Sequence, residues 1–274
     1  MIIDGNAIKK TMVEELKMQV AQDKSFDSAH GKKRVCFLQF GGDQGSTTFV
    51  NMKMKLAAEI GVEAVHIQKS STSTAEALAV LGDIVEQRYD GIVVQLPLPA
   101  GIDTDLVIDS LPTEYDIDML SEDAKAQYRA ALTMRTAPVA AAVQEILWHH
   151  KIILLGKQIV VLGKGRLVGE PIAMLLDRQE LPYTWIDIDT PTETRLQALR
   201  EADIIISGIG VPHSISADMV KDGVVLIDAG TSEQVGKLVG DIDPGCADKA
   251  AFYTPVPGGV GPLTVACLFK NLFL

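Results

Sequence analysis

The chain has 274 residues, 47% of them hydrophobic and 22% charged, which suits a globular protein large enough for two compact domains. Its formal net charge is −11, so nucleic acid is not an expected partner. The first residues contain no basic segment leading into an apolar run, and no apolar stretch approaches the ~20 residues that span a bilayer. We therefore expect a cytoplasmic protein with no membrane partner.

The cysteines Cys36, Cys246 and Cys267 are far apart and lack the spacing of a metal or redox site. Isolated cysteines in an intracellular protein are typically buried, reduced thiols. We expect that state for all three, with no disulfide and no metal site.

Apolar strands and amphipathic helices alternate through the first half of the chain. A polar stretch, Gln22–Lys33, separates the first predicted helix from the first buried strand. Such alternation predicts βαβ units and a parallel sheet, with functional groups at the carboxyl ends of its strands. The predicted elements are helix 7–20, strand 34–40, helix 48–60, strand 63–67, helix 73–88 and strand 91–95.

A second alternating series, Rossmann-like in its pattern, fills the other half. Its predicted strands are 158–162, 184–188, 204–207 and 224–227. Between the two series, residues 118–137 are polar and weakly patterned, and a connecting helix is predicted over 139–150. We place the domain junction there. The last apolar segment, 263–273, is too short to form a domain, and we expect it to return to the first one.

Three glycines follow the first strand of the second series, at Gly163, Gly165 and Gly169 in VVLGKGRLVG. Their spacing is one residue longer than the common dinucleotide fingerprint. Glycines at such a turn let backbone N–H groups approach a pyrophosphate at the positive end of a helix. An ordinary strand-to-helix turn is the alternative, but the position at the first βα turn of a four-strand series favours a dinucleotide.

Charged residues of both signs surround this loop. Asp187 and Asp189 fall at the predicted end of the second strand, where a carboxylate can accept hydrogen bonds from an adenosine ribose. Lys164 and Arg166 can instead supply positive charge to a 2′-phosphate. The aspartates can equally be solvated loop charges.

In the first half, Ser46, Phe49 and Lys53 are spaced to share one face of a helix. A lysine on a helix is more often a solvated surface charge. Gln95 ends an otherwise apolar strand, and a buried glutamine needs hydrogen-bond partners. The glutamine can belong to a polar site at this strand end, or it can simply cap the local backbone, and the sequence does not decide between the two.

Two loops have unusual composition. Asp116 and Asp118 alternate in an extended segment, where they can be simple loop caps. The segment 253–264, YTPVPGGVGPLT, holds three prolines and three glycines before a helix. Gly258 and Gly259 permit close backbone approach to a ligand, although a purely structural turn is the alternative.

Five segments together resemble the bifunctional methylenetetrahydrofolate dehydrogenase and methenyltetrahydrofolate cyclohydrolase family. The likeness spans nearly the whole chain, and QLPLP and PGGVGP on either side of a Rossmann-like half are far more specific than the glycine pattern. The segments are IIDG at 2–5, the Ser46/Lys53 segment, DGIVVQLPLP at 90–99, DID at 116–118 and TPVPGGVGPLTVA at 254–266.

The resemblance implies a two-lobed α/β fold. Its catalytic, folate-binding domain is expected over 1–142, with 254–274 returning to it as a C-terminal helix, and its Rossmann dinucleotide-binding domain over 143–253. Two copies are expected to form a homodimer through the Rossmann domain. The implied reactions are oxidation of 5,10-methylenetetrahydrofolate by hydride transfer to NAD(P), and hydrolysis of the methenyl product to 10-formyltetrahydrofolate.

Residue roles follow from the same resemblance. Lys53 matches the family's catalytic lysine, Gln95 the glutamine that hydrogen-bonds it, and Ser46 a supporting hydroxyl. Asp118 matches the carboxylate that grips the pterin, and Phe49 occupies the position of a ring that stacks on the substrate. The remaining expected contacts are Pro257, Gly258 and Gly259 for the substrate, and Gly163, Lys164, Gly165, Arg166, Asp187, Gly208 and Thr231 for the dinucleotide.

On the folate side the sequence departs from the family pattern. Phe49 replaces a tyrosine, so a hydroxyl is missing. Met119 replaces the glycine that usually follows the pterin-binding Asp118, and Ala124 and Ala126 replace an asparagine and a glycine. These changes put the geometry of the folate loop in doubt.

Elsewhere, residues 138–140 replace a usual C-T-P segment, and in the dinucleotide loop Lys164 with Gly165 replaces a usual arginine–serine pair. The hydroxyl that would hold a 2′-phosphate is therefore absent. The loop cations and the precedent of bacterial relatives favour NADP, whereas Asp187 favours NAD. NADP is the expectation, with NAD as the alternative.

Other functions stay open at this level. One is an enzyme that is mainly a cyclohydrolase with weak dehydrogenase activity. Another is a catalytically poor folate-binding protein, against which Lys53 and Gln95 argue because binding alone needs neither. An unrelated Rossmann oxidoreductase leaves the segment 90–99 unexplained.

Overall fold

The computed structural model describes residues 1–22, 32–234 and 237–274. Predicted strands 34–40, 91–95 and 204–207 match the observed ones residue for residue, and most of the polar stretch Gln22–Lys33 lies outside the described residues. The helices and strands are α1 (Gly5–Gln22), β1 (Arg34–Phe40), α2 (Gln44–Ile60), β2 (Glu63–Lys69), α3 (Thr74–Val85), β3 (Gly91–Gln95), α4 (Thr104–Asp109), α5 (Glu122–Arg129), α6 (Pro138–His149), β4 (Ile159–Leu162), α7 (Gly169–Arg178), β5 (Tyr183–Ile186), α8 (Thr192–Glu201), β6 (Ile204–Ser207), β7 (Val225–Asp228), β8 (Ser232–Gln234), β9 (Lys237–Val239), β10 (Phe252–Tyr253) and α9 (Val260–Lys270).

The chain divides into two compact units. The N-terminal unit contains Thr11–Pro138 and Val265–Leu274, and the Rossmann unit contains Met1–Lys10 and Val139–Thr264. Residues 265–274 therefore belong with the N-terminal unit, whereas residues 1–10 and 254–264 belong with the Rossmann unit. Within the described ranges, no helix combines the length and apolar character needed to cross a membrane.

The sheet of the N-terminal unit is parallel, with the strand order β2-β1-β3. The chain passes from β1 to β2 on one side and then to β3 on the other. The order therefore reverses between β1 and β3, and ligands of α/β proteins bind outside the carboxyl ends of strands at such a switch point. Gln39 and Gln95 are register partners at that end of the sheet.

A helix that the sequence pattern did not predict lies in the polar segment 118–137. This helix, α5, begins after Ser121, whose hydroxyl accepts a hydrogen bond from the backbone N–H of Ala124. Glu122 and Asp123 occupy its first turn, where negative charge is stabilised. Capping chemistry therefore defines this helix, since its apolar face is too short to show a period.

The C-terminal segment is anchored within the N-terminal unit by one aromatic pair and one amide. Phe269 packs edge-on against Phe37 of β1, with ring centroids 6.2 Å apart. The buried Asn271 donates through Nδ2 to the carbonyls of Ile117 at 2.9 Å and Thr136 at 2.8 Å. Asn271 thereby fixes the backbone next to Asp118.

In the Rossmann unit, five parallel strands take the order β10-β7-β6-β4-β5. The chain runs from β4 to the edge strand β5 and then to β6 on the other side of β4. The order therefore reverses between β4 and β6. A short antiparallel hairpin, β8–β9, follows β7 and was not predicted.

All three cysteines are buried, as expected. Burial raises the pKa of Cys36 to about 12 and that of Cys246 to about 11. These two thiols are therefore protonated and unreactive at neutral pH.

Candidate active site and dinucleotide loop

The structure brings Lys53 of α2 and Gln95 of β3 together. The Lys53 ammonium donates to Oε1 of Gln95 at 3.0 Å. The amide nitrogen of Gln95 donates to the carbonyl of Leu96 at 2.8 Å, which orients the amide with its oxygen toward the lysine. Lys53 therefore lies at the switch point between β1 and β3 instead of forming a solvated surface charge.

Ser46 joins the start of α2 to the end of β3. Its backbone N–H is capped by the carboxylate of Asp43 at 2.7 Å, and its hydroxyl donates to the carbonyl of Leu96 at 3.3 Å. The Leu96 carbonyl thus accepts from both Ser46 and Gln95. The predicted trio of Ser46, Gln95 and Lys53 forms one connected network.

Gln39 also belongs to this region, although it was not predicted from the sequence. It is fully buried at the end of β1, where Nε2 donates to Oγ1 of Thr47 at 3.0 Å. Its Oε1 lies 3.0 Å from Nε2 of His66 on β2. The signal was available, because Gln39 is a polar residue in an apolar strand, as Gln95 is.

Burial and charge act in opposite directions on Lys53 and Asp118. Desolvation lowers the pKa of Lys53, and its attraction to Asp118 opposes that shift. Desolvation also raises the pKa of Asp118, opposed by Lys53 and assisted by Asp116. Both shifts favour the neutral forms, so this lysine is easier to deprotonate than one in water.

The two aspartates of the DID segment have different roles. Asp116 is buried and accepts hydrogen bonds from Leu120 N at 3.0 Å, Ser121 N at 2.9 Å and Ser121 Oγ at 2.7 Å, so it is a loop cap. Asp118 is half-buried and interacts electrostatically with Lys53. Between Asp118 and Leu120, Met119 has φ +59°, a left-handed conformation that favours glycine.

Phe49 lies one turn before Lys53 on α2 and is half-buried. A separate ring, Phe37 of β1, has its centroid 5.9 Å from the Lys53 ammonium. Aromatic surface therefore borders the lysine on the side of the sheet, a second contact that spacing alone did not reveal.

The glycine-rich turn before α9 belongs to the Rossmann unit, where it meets the beginning of the chain. Gly5 N donates to the carbonyl of Gly258 at 2.8 Å, and a Cβ on Gly5 would overlap the carbonyl oxygen of Gly259. Gly258 has φ +109°, and Pro257 is exposed and follows a cis peptide bond. The IIDG and PGGVG motifs are therefore two halves of one backbone structure.

The glycine loop after β4 is shaped for close backbone approach. Gly163 has φ +93°, and a Cβ on Gly169 would overlap the carbonyl oxygen of Gly163. A Cβ on Gly208, after β6, would overlap the side chain of Val168. Only glycine fits at these three positions, and the resulting cradle at the start of α7 suits a pyrophosphate.

Lys164 and Asp187 form an ion pair beside this loop, with Nζ 2.6 Å from Oδ2. Asp187 follows β5 and also accepts hydrogen bonds from Thr190 Oγ1 at 3.0 Å and Asp189 N at 3.1 Å. Its hydrogen bond with Lys164 lowers its pKa. Trp185 lies under the lysine and donates to the carbonyl of Gly163 at 2.6 Å.

The other residues expected to bind the dinucleotide are more exposed and lack the close backbone packing of the three glycines. Gly165 is exposed, and a Cβ added to it would meet no atom of the described residues within 4 Å, in contrast to Gly169. Arg166 is half-buried in the same loop, and Thr231 is exposed after β7. Asp189 is exposed, and its contact with Asp187 is made by its backbone.

Two family models match the chain. The catalytic-domain model described as "Tetrahydrofolate dehydrogenase/cyclohydrolase" matches residues 3–118, and the corresponding NAD(P)-binding-domain model matches residues 137–274. The chain is 34% identical over 277 residues to the bifunctional protein FolD of Aquifex aeolicus, covering 99% of this chain and 93% of that one.

Solved structures agree with this match. The bifunctional FolD dehydrogenase/cyclohydrolase of Campylobacter jejuni superposes with a TM-score of 0.92 at 30% identity, covering 100% of this chain and 97% of that one. The Trypanosoma brucei enzyme, solved with NADP and an inhibitor, gives a TM-score of 0.91 at 32% identity, covering 99% and 95%.

The glycine loop generates a matched pair of substitutions. Gly169→Ala forces a Cβ into the Gly163 carbonyl, whereas Gly165→Ala adds one to open space. We expect Gly169→Ala to weaken dinucleotide binding by about tenfold or more, the effect of overpacking by one methyl group. Gly165→Ala should bind as the wild type does. Calorimetric titration with NADH and NADPH measures both, and equal affinities in the two variants would contradict the assignment of the loop.

Proposed function

This chain belongs to the tetrahydrofolate dehydrogenase/cyclohydrolase family, and from that membership we propose how its residues divide the two reactions. The enzyme oxidises 5,10-methylenetetrahydrofolate to the methenyl cation and hydrolyses the cation to 10-formyltetrahydrofolate. The observation that carries the assignment of roles is the hydrogen bond from Lys53 to Gln95 at 3.0 Å.

The oxidation needs positioning more than acid–base chemistry. When bound, the nicotinamide dinucleotide accepts a hydride from the methylene carbon of the folate. The residues of this chain hold the reactants in place, which is worth several orders of magnitude in rate. We assign the cradle of Gly163, Gly169 and Gly208 to the dinucleotide, and Pro257, Gly258 and Gly259 to the substrate.

The hydrolysis adds water to the methenyl carbon and releases one proton to a base. The adduct then breaks its bond to N5 as the hydroxyl proton passes to N5, which leaves the formyl group on N10. The reaction therefore needs a group that accepts the first of these protons. We assign this role to Lys53, whose pKa is lowered by burial. A bound cation lowers it further by repulsion. Gln95 receives a hydrogen bond from the ammonium and orients it, and Ser46 holds the same strand end through Leu96.

Asp118 is assigned to the pterin. A carboxylate can accept two hydrogen bonds from the amino-pyrimidinone edge of that ring and so fix its orientation. Asp116 cannot serve in its place, because its carboxylate is already occupied by Leu120 and Ser121. Phe49 retains the aromatic surface expected against the substrate and lacks only the hydroxyl.

The family establishes a nicotinamide dinucleotide, and the local charges favour NAD over NADP. Asp187 follows β5, the strand after the glycine loop, where a carboxylate accepts hydrogen bonds from the ribose hydroxyls. Lys164 is paired with Asp187 at 2.6 Å, so a 2′-phosphate must displace that carboxylate to reach it. We therefore propose NAD as the preferred form, which reverses the expectation drawn from the loop cations and from bacterial relatives.

We also propose that the enzyme is a cytoplasmic homodimer that associates through the Rossmann unit. That unit exposes the large apolar side chains of Trp148, Ile153 and Leu155 around the end of α6, a surface that association would bury. Buried, protonated thiols at Cys36 and Cys246 are compatible with a reducing compartment.

The role of Lys53 is tested by Lys53→Met, with Lys55→Met as the control, because Lys55 is exposed on the same helix. We expect Lys53→Met to slow methenyl hydrolysis by about 100-fold or more, the usual contribution of a general base, while folate still binds. In the wild type, hydrolysis should rise with pH as Lys53 deprotonates, since its pKa is lowered. Hydrolysis at the wild-type rate in Lys53→Met would remove the lysine from the mechanism.

The role of Asp118 is tested by Asp118→Ala, with the exposed Asp123→Ala as the control. We expect the KM for methylenetetrahydrofolate to rise by about tenfold or more, because a charged hydrogen-bond acceptor is lost. The KM for the dinucleotide should change far less. A parallel rise in both constants would indicate a folding defect instead.

The cofactor preference is tested by the ratio of kcat/KM values with NAD and NADP. We expect the wild type to prefer NAD, and Asp187→Ser to shift the ratio toward NADP by about tenfold, because it frees Lys164 and removes a repulsive charge. Asp189→Ser is the matched control, since only the backbone of Asp189 contacts Asp187. A wild-type preference for NADP that Asp187→Ser leaves unchanged would refute the assignment.

A further inference from the structure

Two aspartates are buried at the carboxyl end of the Rossmann sheet. Asp228 is the last residue of β7, and Asp241 follows β9; their exposed fractions are 1% and 0%. A buried carboxylate is costly unless hydrogen-bond donors replace water around it. The hydrogen-bond donors around these two carboxyl groups therefore show which segments of the chain the aspartates hold together.

Asp241 holds the loop that follows β6. Its Oδ2 accepts hydrogen bonds from the Ser207 hydroxyl at 2.7 Å and from Ile209 N at 2.8 Å. Its Oδ1 accepts from Val211 N at 2.9 Å. One carboxylate thus fixes the course of the backbone over five residues, from the end of β6 outward.

This loop forms the wall opposite the glycine loop. Gly208 lies so close to Val168 that a Cβ on it would overlap that side chain. From the other side, a Cβ on Gly163 would lie 2.9 Å from the Gly208 carbonyl oxygen. The two loops follow β6 and β4, the strands between which the order reverses, so they flank the crevice where a dinucleotide binds.

Asp228 in turn holds Asp241. Its carboxylate accepts from Asp241 N at 3.2 Å, Ile242 N at 2.8 Å and Gly230 N at 3.0 Å. A Cβ on Gly230 would overlap the carboxylate of Asp241, and one on Gly240 would overlap that of Asp228. The carboxylate of Asp228 therefore packs on Gly240, which precedes Asp241, and the carboxylate of Asp241 packs on Gly230, two residues after Asp228. Neither side chain can shift without moving the backbone next to the other.

We propose that Asp241 is a positioning residue for dinucleotide binding, which sets the loop after β6 at the distance from the glycine loop that the cofactor requires. Asp228 supports it by fixing its backbone. The proposal rests on the NAD(P)-binding role of this unit and not on the choice between NAD and NADP. It assigns a function to the segment after the β8–β9 hairpin, which neither of the two reactions uses directly.

The test uses the whole enzyme and its two activities. Asp241→Asn replaces one acceptor oxygen by an NH2 group that faces backbone or hydroxyl donors, and Ser207→Ala removes one donor only. Asp243→Asn is the matched control, because the Asp243 carboxylate caps Gly245 instead of the loop after β6. Dinucleotide affinity is measured by calorimetric titration with NADH and with NADPH.

We expect Asp241→Asn to raise the Kd and KM of the dinucleotide by about tenfold or more, and Ser207→Ala by about threefold, as one or more hydrogen bonds are lost. Methenyl hydrolysis needs no dinucleotide and should stay within about twofold of the wild type in all variants. Unchanged dinucleotide affinity in folded Asp241→Asn overturns the proposal, as does an equal loss of both activities at an unchanged unfolding temperature. If Asp241→Asn does not fold, Ser207→Ala decides, and wild-type affinity in that variant overturns the proposal.

Discussion

An ammonium group withdrawn from water needs oxygen acceptors around it, and this requirement organises the N-terminal unit around Lys53. Gln95 can offer its amide oxygen only because its NH2 group is held by the carbonyl of Leu96. The same carbonyl accepts from Ser46, which lies at the capped start of the helix that carries Lys53. The lysine, its acceptor and the strand end are therefore fixed by one closed set of contacts. Removing Gln95 takes away the acceptor of the Lys53 ammonium, and removing Lys53 leaves the Gln95 amide oxygen without that donor.

The Rossmann unit has the opposite arrangement at the carboxyl end of its sheet, where hydrogen-bond acceptors are buried and need donors around them. There two carboxyl groups are buried, those of Asp228 and Asp241, and backbone N–H groups donate to their oxygens. Burial raises the pKa of Asp228 to about 7. In both units the polar network holds a loop beside the point where the strand order reverses, and the loops that diverge there leave room for a ligand. Apolar strands hold the sheets together, while a few buried polar groups set the loops. The catalytic surface is thus specified by residues that are themselves largely hidden from solvent.

The sequence is informative about strands and much less so about these networks. Strands β1, β3 and β6 are mostly apolar, buried segments, and their limits were predictable to the residue. Helix α5 has eight residues and hardly any apolar face, and only its cap at Ser121 marks it. The contact of Lys164 with Asp187 joins residues 23 positions apart, and no local pattern encodes it. The same holds for Asp241, whose donors come from a different strand end. Family resemblance supplied the roles proposed for Lys53 and Asp118, but not the groups that hold them.

The loop after Asp118 shows why a departure from the family pattern need not change the geometry. Met119 takes a left-handed φ of +59°, which costs a residue other than glycine about 1–2 kcal/mol. Against this, the buried carboxylate of Asp116 receives three hydrogen bonds from Leu120 and Ser121, and hydrogen bonds to a charged group contribute about 1.5–3 kcal/mol each. The stabilising contacts exceed the strain, so the backbone keeps the turn that glycine would adopt freely. Asn271 braces the other side through the carbonyl of Ile117. The position of Asp118 therefore depends on Asp116 and Asn271 more than on Met119. The presence of Met119 in place of glycine is thus no evidence that the protein has lost its catalytic function.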